Sequence, residues 1–282
     1  MLILSACATA RPRPRAVAAL EAVTGPKMLL GINEGPAVPP AVVAHYCGYN
    51  REFIVRAPVK SAADATAALD TIASCARLRS LWLVEKDDLA LVHALALVAS
   101  TRAPWGIELG NELDLAGLTA QQFAVWVRSA RMILRDAGYS GIIVTGGVYS
   151  VDGHQPQDFE DYVRPAMDAC SDCYVGLHWY GDTSEYWLSR VQHLGVPAMV
   201  TEFGLPSCTP AQDAAQRTYV QQQLAAYART GRVLASIFYQ HNSADVPCND
   251  SDTSHLAHFG LQRPDGSYKP VDALFGSPPS SN

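Results

Sequence analysis

Two glutamates, Glu112 and Glu202, are the side chains in this sequence best placed by type and context to do chemistry. Each closes an apolar run: residues 105–115 read WGIELGNELDL and residues 197–206 read PAMVTEFGLP. Ile107, Leu109, Met199 and Val200 suit the inner strands of a sheet, and such strands tolerate an acid only where the strand emerges. Both glutamates are therefore expected at strand ends. If the two strands belong to one parallel barrel, their carboxylates meet at the rim where loops assemble active sites. Two carboxylates facing one cleft are the minimum equipment for cutting a glycosidic bond.

The elements that must position this pair follow from the apolar periodicity. Strand-like and helix-like segments alternate from residue 27 onward, with no other internal repeat, and eight strand segments can be counted: 27–33, 52–58, 81–85, 106–112, 142–148, 174–180, 198–202 and 235–240. Amphipathic stretches lie between them. In 119–137 the residues Phe123, Val127, Ala130 and Leu134 recur every three or four positions. The stretch 211–229 repeats the pattern with Ala215, Tyr219, Leu224 and Tyr227 toward the core and the glutamines 221–223 mostly toward water, behind a Thr209 cap and Pro210. Segments 64–76 and 88–99 are further Ala/Leu-rich helices; His93 in the second is an ordinary helix residue. The expectation is one (β/α)8 TIM barrel over residues 27–276, with 1–26 as leader, linker and start of the domain and 277–282 as a disordered tail.

Composition agrees with this reading. A single α/β barrel takes about 250 residues, and this chain has 282, of which 49% are hydrophobic and 17% charged. A mean hydropathy of +0.03 is too low for a polytopic membrane protein. A net charge of -6 without a dense Lys/Arg run speaks against nucleic acid as a partner. The expected partner is an oligosaccharide or polysaccharide, with no cofactor, no metal, no integral membrane span and a monomeric protein. Seven cysteines suggest an oxidising, secreted or cell-envelope location. Cys7 ends a run, Leu4 to Cys7, that reads like a bacterial lipoprotein processing site on a shortened leader.

Asn111-Glu112 at the end of a fourth strand, His178-x-Tyr180 at the end of a sixth and Thr201 to Gly204 at the end of a seventh resemble the retaining glycoside hydrolases of the large (β/α)8-barrel clan, clan A. Residues 259–274 (FGLQRPDGSYKPVDAL) look like the closing segment of that clan. Cys170-x-x-Cys173 ahead of His178-Trp179-Tyr180-Gly181 is similar to small single-domain endo-β-1,3-glucanases. The strand ending ELGNE, residues 108–112, instead resembles glucuronidase and heparanase-like families, and Leu113 stands where most of the clan carry proline.

The resemblance implies Glu202 as nucleophile and Glu112 as general acid/base. It also implies that Asn111 bonds the sugar 2-hydroxyl, Tyr180 orients the nucleophile, Arg56 keeps it ionised and His178 lines the cleft. Trp179, Tyr239, Trp82 and Tyr149 fall near rim positions where flat rings could stack on sugars, although aromatic residues in barrels more often serve packing. The implied reaction is cleavage of a β-linked glucan; the alternatives are an exo-acting or glucuronidase-like enzyme on a terminal sugar and a non-catalytic carbohydrate-binding barrel. Cys170 and Cys173 are expected to form a local disulfide or an inert pair rather than half a zinc site. Cys208 with Cys248 and Cys47 with Cys75 are plausible disulfides. His255, His258 and the acids Asp245, Asp250 and Asp252 are expected to form a solvated loop without metal.

Overall fold

In a computed structural model, residues 28–35, 37–49, 51–150, 156–180, 184–241 and 258–276 are described. The leader with Cys7, the tail, Cys248, His255 and the acids at 245, 250 and 252 lie outside them.

Eight strands alternate with helices: β1 Leu29–Asn33, α1 Pro40–Cys47, β2 Phe53–Pro58, α2 Ala62–Ile72, β3 Leu78–Val84, α3 Leu89–Arg102, β4 Gly106–Asn111, α4 Ala120–Asp136, β5 Ile142–Ser150, α5 Pro156–Ala169, β6 Cys173–Trp179, α6 Ser184–Leu194, β7 Ala198–Phe203, α7 Pro210–Thr230 and β8 Val233–Phe238. Every strand pairs in parallel with its sequence neighbour, and β8 pairs with β1, closing the barrel. The expected (β/α)8 barrel is the observed fold. A 3-10 turn, Pro270–Leu274, occupies the place of an eighth helix, between α7 and α1.

Two buried layers follow from period-two alternation along the strands. Ile54, Leu81, Val144, Met199, Ala235 and Ile237 fill the barrel interior. Their outward neighbours, among them Val55, Trp82, Leu177 and Val200, pack beneath the helices. The helices start on the expected signals: Thr119 with Gln122 and Thr209 with Gln212 each form a reciprocal capping box at the heads of α4 and α7. All four core residues expected on α4 are buried.

The α7 reading needs correction. Its buried face carries Asp213, Gln216, Tyr219, Val220, Gln223, Ala226 and Tyr227, whereas Ala215 is exposed. Polar residues belong on this face because it abuts loops rather than strands alone. The Gln216 amide donates to the backbone oxygens of Leu205 and Phe259, and Asp213 accepts from the Ser207 hydroxyl and the Arg263 guanidinium. Strand β3 begins three residues ahead of its expected start because Leu78 pairs with Phe53.

Disulfides join Cys47 to Cys75 and Cys170 to Cys173. The first ties the end of α1 to the segment after α2 and closes a loop with a sequence separation of 28. Replacing Cys47 and Cys75 together by Ser is expected to lower stability by about 3–4 kcal/mol, from the loop entropy returned to the unfolded chain. The shift in the urea midpoint measures it.

Candidate active site

Strand alternation carries acids into the barrel mouth, and local irregularities decide which ones arrive. On β7, Met199 faces inward and Val200 outward, so strict alternation would send Glu202 outward. Instead the β6–β7 register skips: Leu177 pairs with Val200 and His178 with Glu202. Thr201 is the extra residue of a bulge, and the bulge turns Glu202 into the mouth. On β4, Gly110 takes a φ of 119° and Glu112 a φ of 50°, both in the left-handed region. A side chain at Gly110 would strike Leu113, so this backbone is reserved for glycine. The result is that Asn111 and Glu112, although consecutive, both line the cleft.

The mouth is a cleft of about 830 Å³, within the size range of ligand-binding clefts, about 300–1,000 Å³. Carboxylate oxygens of Glu112 and Glu202 and a ring nitrogen of His178 all lie within 4.8 Å of one another. Below them sits Arg56, only 2% exposed. Its Nε donates to Glu108 Oε2 at 2.5 Å, and its Nη1 donates to Glu202 Oε1 at 2.7 Å and to Asn33 Oδ1 at 2.8 Å. Nη2 reaches Asn111 Oδ1 at 3.3 Å. The Tyr180 hydroxyl donates to the other Glu202 oxygen at 2.7 Å.

The two acids thus live in different surroundings. Burial alone would raise the Glu202 pKa. The charges of His178 and Arg56, with hydrogen bonds from Tyr180 and Arg56, outweigh it and hold the carboxyl below its ordinary value. Glu112 is the more open, its side chain 25% exposed against 10% for Glu202, and its partner is His178 Nδ1 at 2.8 Å. Burial would lower His178, but the Glu202 charge and the bond to Glu112 raise it. Gly147 makes this arrangement possible, because a Cβ there would occupy the space of the His178 ring.

Of the sequence-predicted residues, Arg56, Asn111, Glu112, Tyr180, Glu202, Tyr239 and Tyr149 line the cleft. Three aromatic or imidazole assignments need correction. His178 is fully buried beneath the acids, so it orients Glu112 rather than lining the opening. Trp179 alternates to the outer side of β6, where it stacks on Tyr227 of α7 with centroids 5.8 Å apart. Trp82 likewise packs in the outer layer. Each tryptophan stands one position from an inward-facing neighbour, His178 and Leu81 respectively.

Sequence reading missed Glu108, Asn33, Glu34 and His241. Glu108 carried a signal: an acid two residues inside an apolar strand is an inward-facing buried charge that needs a cation. Glu34 carried another, since it ends β1 as Glu112 ends β4. Its Oε1 accepts from the Tyr46 hydroxyl at 2.6 Å, and Tyr46 also contacts His241 Nδ1. Burial pushes Glu34 up to about 7 against the lowering bond from Tyr46, and burial with the nearby His45 pushes His241 down to about 4.

No protein-family model and no curated protein matches the sequence. Solved structures do. An exo-β-1,4-mannosidase from Opitutaceae bacterium strain TAV5 is similar over 88% of this chain at 17% identity with a TM-score of 0.63, and the match spans 58% of that enzyme's length. An endo-β-1,3-glucanase of family GH128, subgroup IV, from Lentinula edodes is similar over 88% of this chain and 98% of its own, at 15% identity and a TM-score of 0.62. A subgroup VI exo-β-1,3-glucanase from Aureobasidium namibiae matches over 90% and 98%, at 14% identity and 0.60. At these identities the likeness is one of fold: this barrel is built like those of glycoside hydrolases.

Glu108 is expected to be indispensable to the buried charges. Glu108→Ala removes one of the two carboxylates paired with Arg56 and should cost about 3–5 kcal/mol, the scale for breaking a buried ion pair, read by urea denaturation. Glu34 gives a pH-dependent counterpart. Its pKa is raised on folding from 4.5 to about 7, so its stability contribution is fully present below the unfolded value and is lost as the pH rises through the folded one. Glu34→Gln should therefore match wild type near pH 4 and exceed it near pH 8 by up to about 3 kcal/mol. Denaturation midpoints at the two pH values check the sign.

Proposed function

We propose that this protein is a retaining O-glycoside hydrolase that cleaves a β-linked glucan or related oligosaccharide by double displacement. The observation that carries the reading is the approach of the Glu112 and Glu202 carboxylates to within 4.8 Å across one open cleft. Retaining enzymes hold their carboxyls about 5–5.5 Å apart, whereas inverting enzymes leave about 6.5–9.5 Å for an intervening water.

The two environments divide the labour. Glu202, bonded by Arg56 and Tyr180, is held ionised and is the nucleophile. It cannot also carry the proton, so Glu112 gives its proton to the leaving oxygen as the Glu202 carboxylate bonds to the anomeric carbon. The aglycone then departs as an alcohol. In the second step Glu112 takes a proton from water, whose oxygen attacks the anomeric carbon and releases Glu202. Asn111, anchored by Arg56, is positioned to bond the sugar 2-hydroxyl, a contact that strengthens as the ring becomes oxocarbenium-like. Tyr239 and Tyr149 supply aromatic walls.

The charge of the cleft favours a neutral glycone over a uronic acid. Among the described residues, Glu34, Glu85, Glu112 and Glu202 line it, and the Arg56 guanidinium, which also lines it, already serves Glu108 and Glu202. Among the solved structures alike in fold are β-1,3-glucanases, a β-1,4-mannosidase and a xylanase, and also a β-glucuronidase, so the fold by itself does not choose between these sugars. The disulfides Cys47–Cys75 and Cys170–Cys173 fit work in an oxidising compartment. Among the described residues no helix is long and apolar enough to cross a membrane.

Digestion of β-1,3-, β-1,4- and β-1,6-glucans, xylan and mannan, with the anomer of the first product read by proton NMR, tests the reading. A β-anomer is expected. Glu202→Ala should reduce turnover by several orders of magnitude, and added azide should restore part of it as a glycosyl azide of inverted configuration. Undiminished activity in that variant refutes the assignment.

A further inference from the structure

Resting on that hydrolase reading, we propose that Glu34 is the carboxyl that holds a hydroxyl of the glycone, and thereby selects a neutral sugar on the side of the cleft away from the general acid.

The barrel order sets the geometry. Strand β4, which carries Glu112, stands opposite β8, and β1 is the next strand beyond it. A proton given by Glu112 goes to the leaving oxygen, so the aglycone lies on the β4 side. The glycone therefore faces the wall built by β8 and β1. Glu34 extends from the end of β1 directly after Asn33, and Asn33 Oδ1 accepts from the same Arg56 Nη1 that bonds Glu202. The nucleophile and Glu34 are thus joined through one guanidinium and one peptide unit.

The side chain is built to present one oxygen. It is 8% exposed yet lines the cleft. Oε1 is held by Tyr46, which is fully buried and backed by Phe53 and Tyr49. Tyr46 has a single proton; when it is donated to Glu34, the buried His241 completes the phenol's bonding through Nδ1–H. Oε2 has no hydrogen-bond partner among the described residues. A structural knot for Tyr46 would need only a neutral acceptor, whereas a carboxyl partly stripped of water carries a cost, reflected in its raised pKa. A sugar hydroxyl bonded to Oε2 offsets that cost. A uronate carboxylate in the same place meets a like charge.

The test separates this proposal from the reading beneath it. Wild-type protein is assayed first on the polysaccharide panel; if none is cleaved, the hydrolase reading fails and Glu34 with it. For a polymer that is cleaved, chromogenic aryl oligosaccharides are prepared with single hydroxyls removed from the glycone rings. Glu34→Ala is expected to lower kcat/KM on the parent substrate about 10–100-fold. One deoxy substrate should lose a similar factor with wild type and suffer less than about threefold further loss with the variant, because both changes delete one contact. Glu34→Gln, which keeps the Tyr46 acceptor, should fall between the two. Cleavage by wild type with unchanged kcat/KM in Glu34→Ala, or losses that multiply for every deoxy substrate, overturns the glycone role while leaving the hydrolase reading intact.

Discussion

The structure depends on one buried cation. Arg56 lies at the centre of the barrel mouth with almost no access to water, and a charge there is tolerable only with opposite charges in contact. Glu108 from β4 and Glu202 from β7 supply them, and with the bond to Asn33 of β1 a single guanidinium on β2 joins four strands. Burial, which would lower its pKa, is outweighed by the two carboxylates, and the guanidinium stays charged. Its fork geometry fixes the direction from which Glu202 is held. A lysine would provide the charge without that fork.

From this centre the asymmetry of the two acids follows. Glu202 is gripped by the guanidinium and a phenol, while Glu112, the first residue beyond β4, meets a histidine and the open cleft. Small residues make the close approach possible. Gly110 admits the left-handed backbone ahead of Asn111, and Gly147 leaves the space that the His178 ring fills. Neither glycine brings a side chain to the cleft, yet they determine where the two carboxylates and the imidazole stand.

The outer shell keeps the mouth in place. Lys269 donates to the backbone oxygens of His258 and Ser207, tying the segment from His258 onward to the loop after β7. Burial pushes this ammonium down to about 8, against the raising effect of Asp213. The 3-10 turn that follows places Asp272 against His45 and Tyr49 of the α1 region. The closing segment thus braces β8 and β1, the strands that carry Tyr239, His241 and Glu34.

Within the sequence alone, the order of eight strands, the helices between them and the two strand-end glutamates were legible. Burial of apolar side chains imposes periods of two and of about 3.6, and acids stand out where those periods stop. The same rule exposed Glu108 as an inward-facing charge, had its period been followed inside the strand. Only the tertiary structure decided that Glu202 turns inward, because a bulge at Thr201 reverses an alternation that the residue order cannot reveal. It also decided that Trp82 and Trp179 pack outside the barrel, that His178 lies beneath the acids and that Glu34 meets Tyr46 and His241. Those outcomes depend on register and on contacts between residues distant in the chain, such as Arg56 with Glu202, whose separation in space no local pattern encodes.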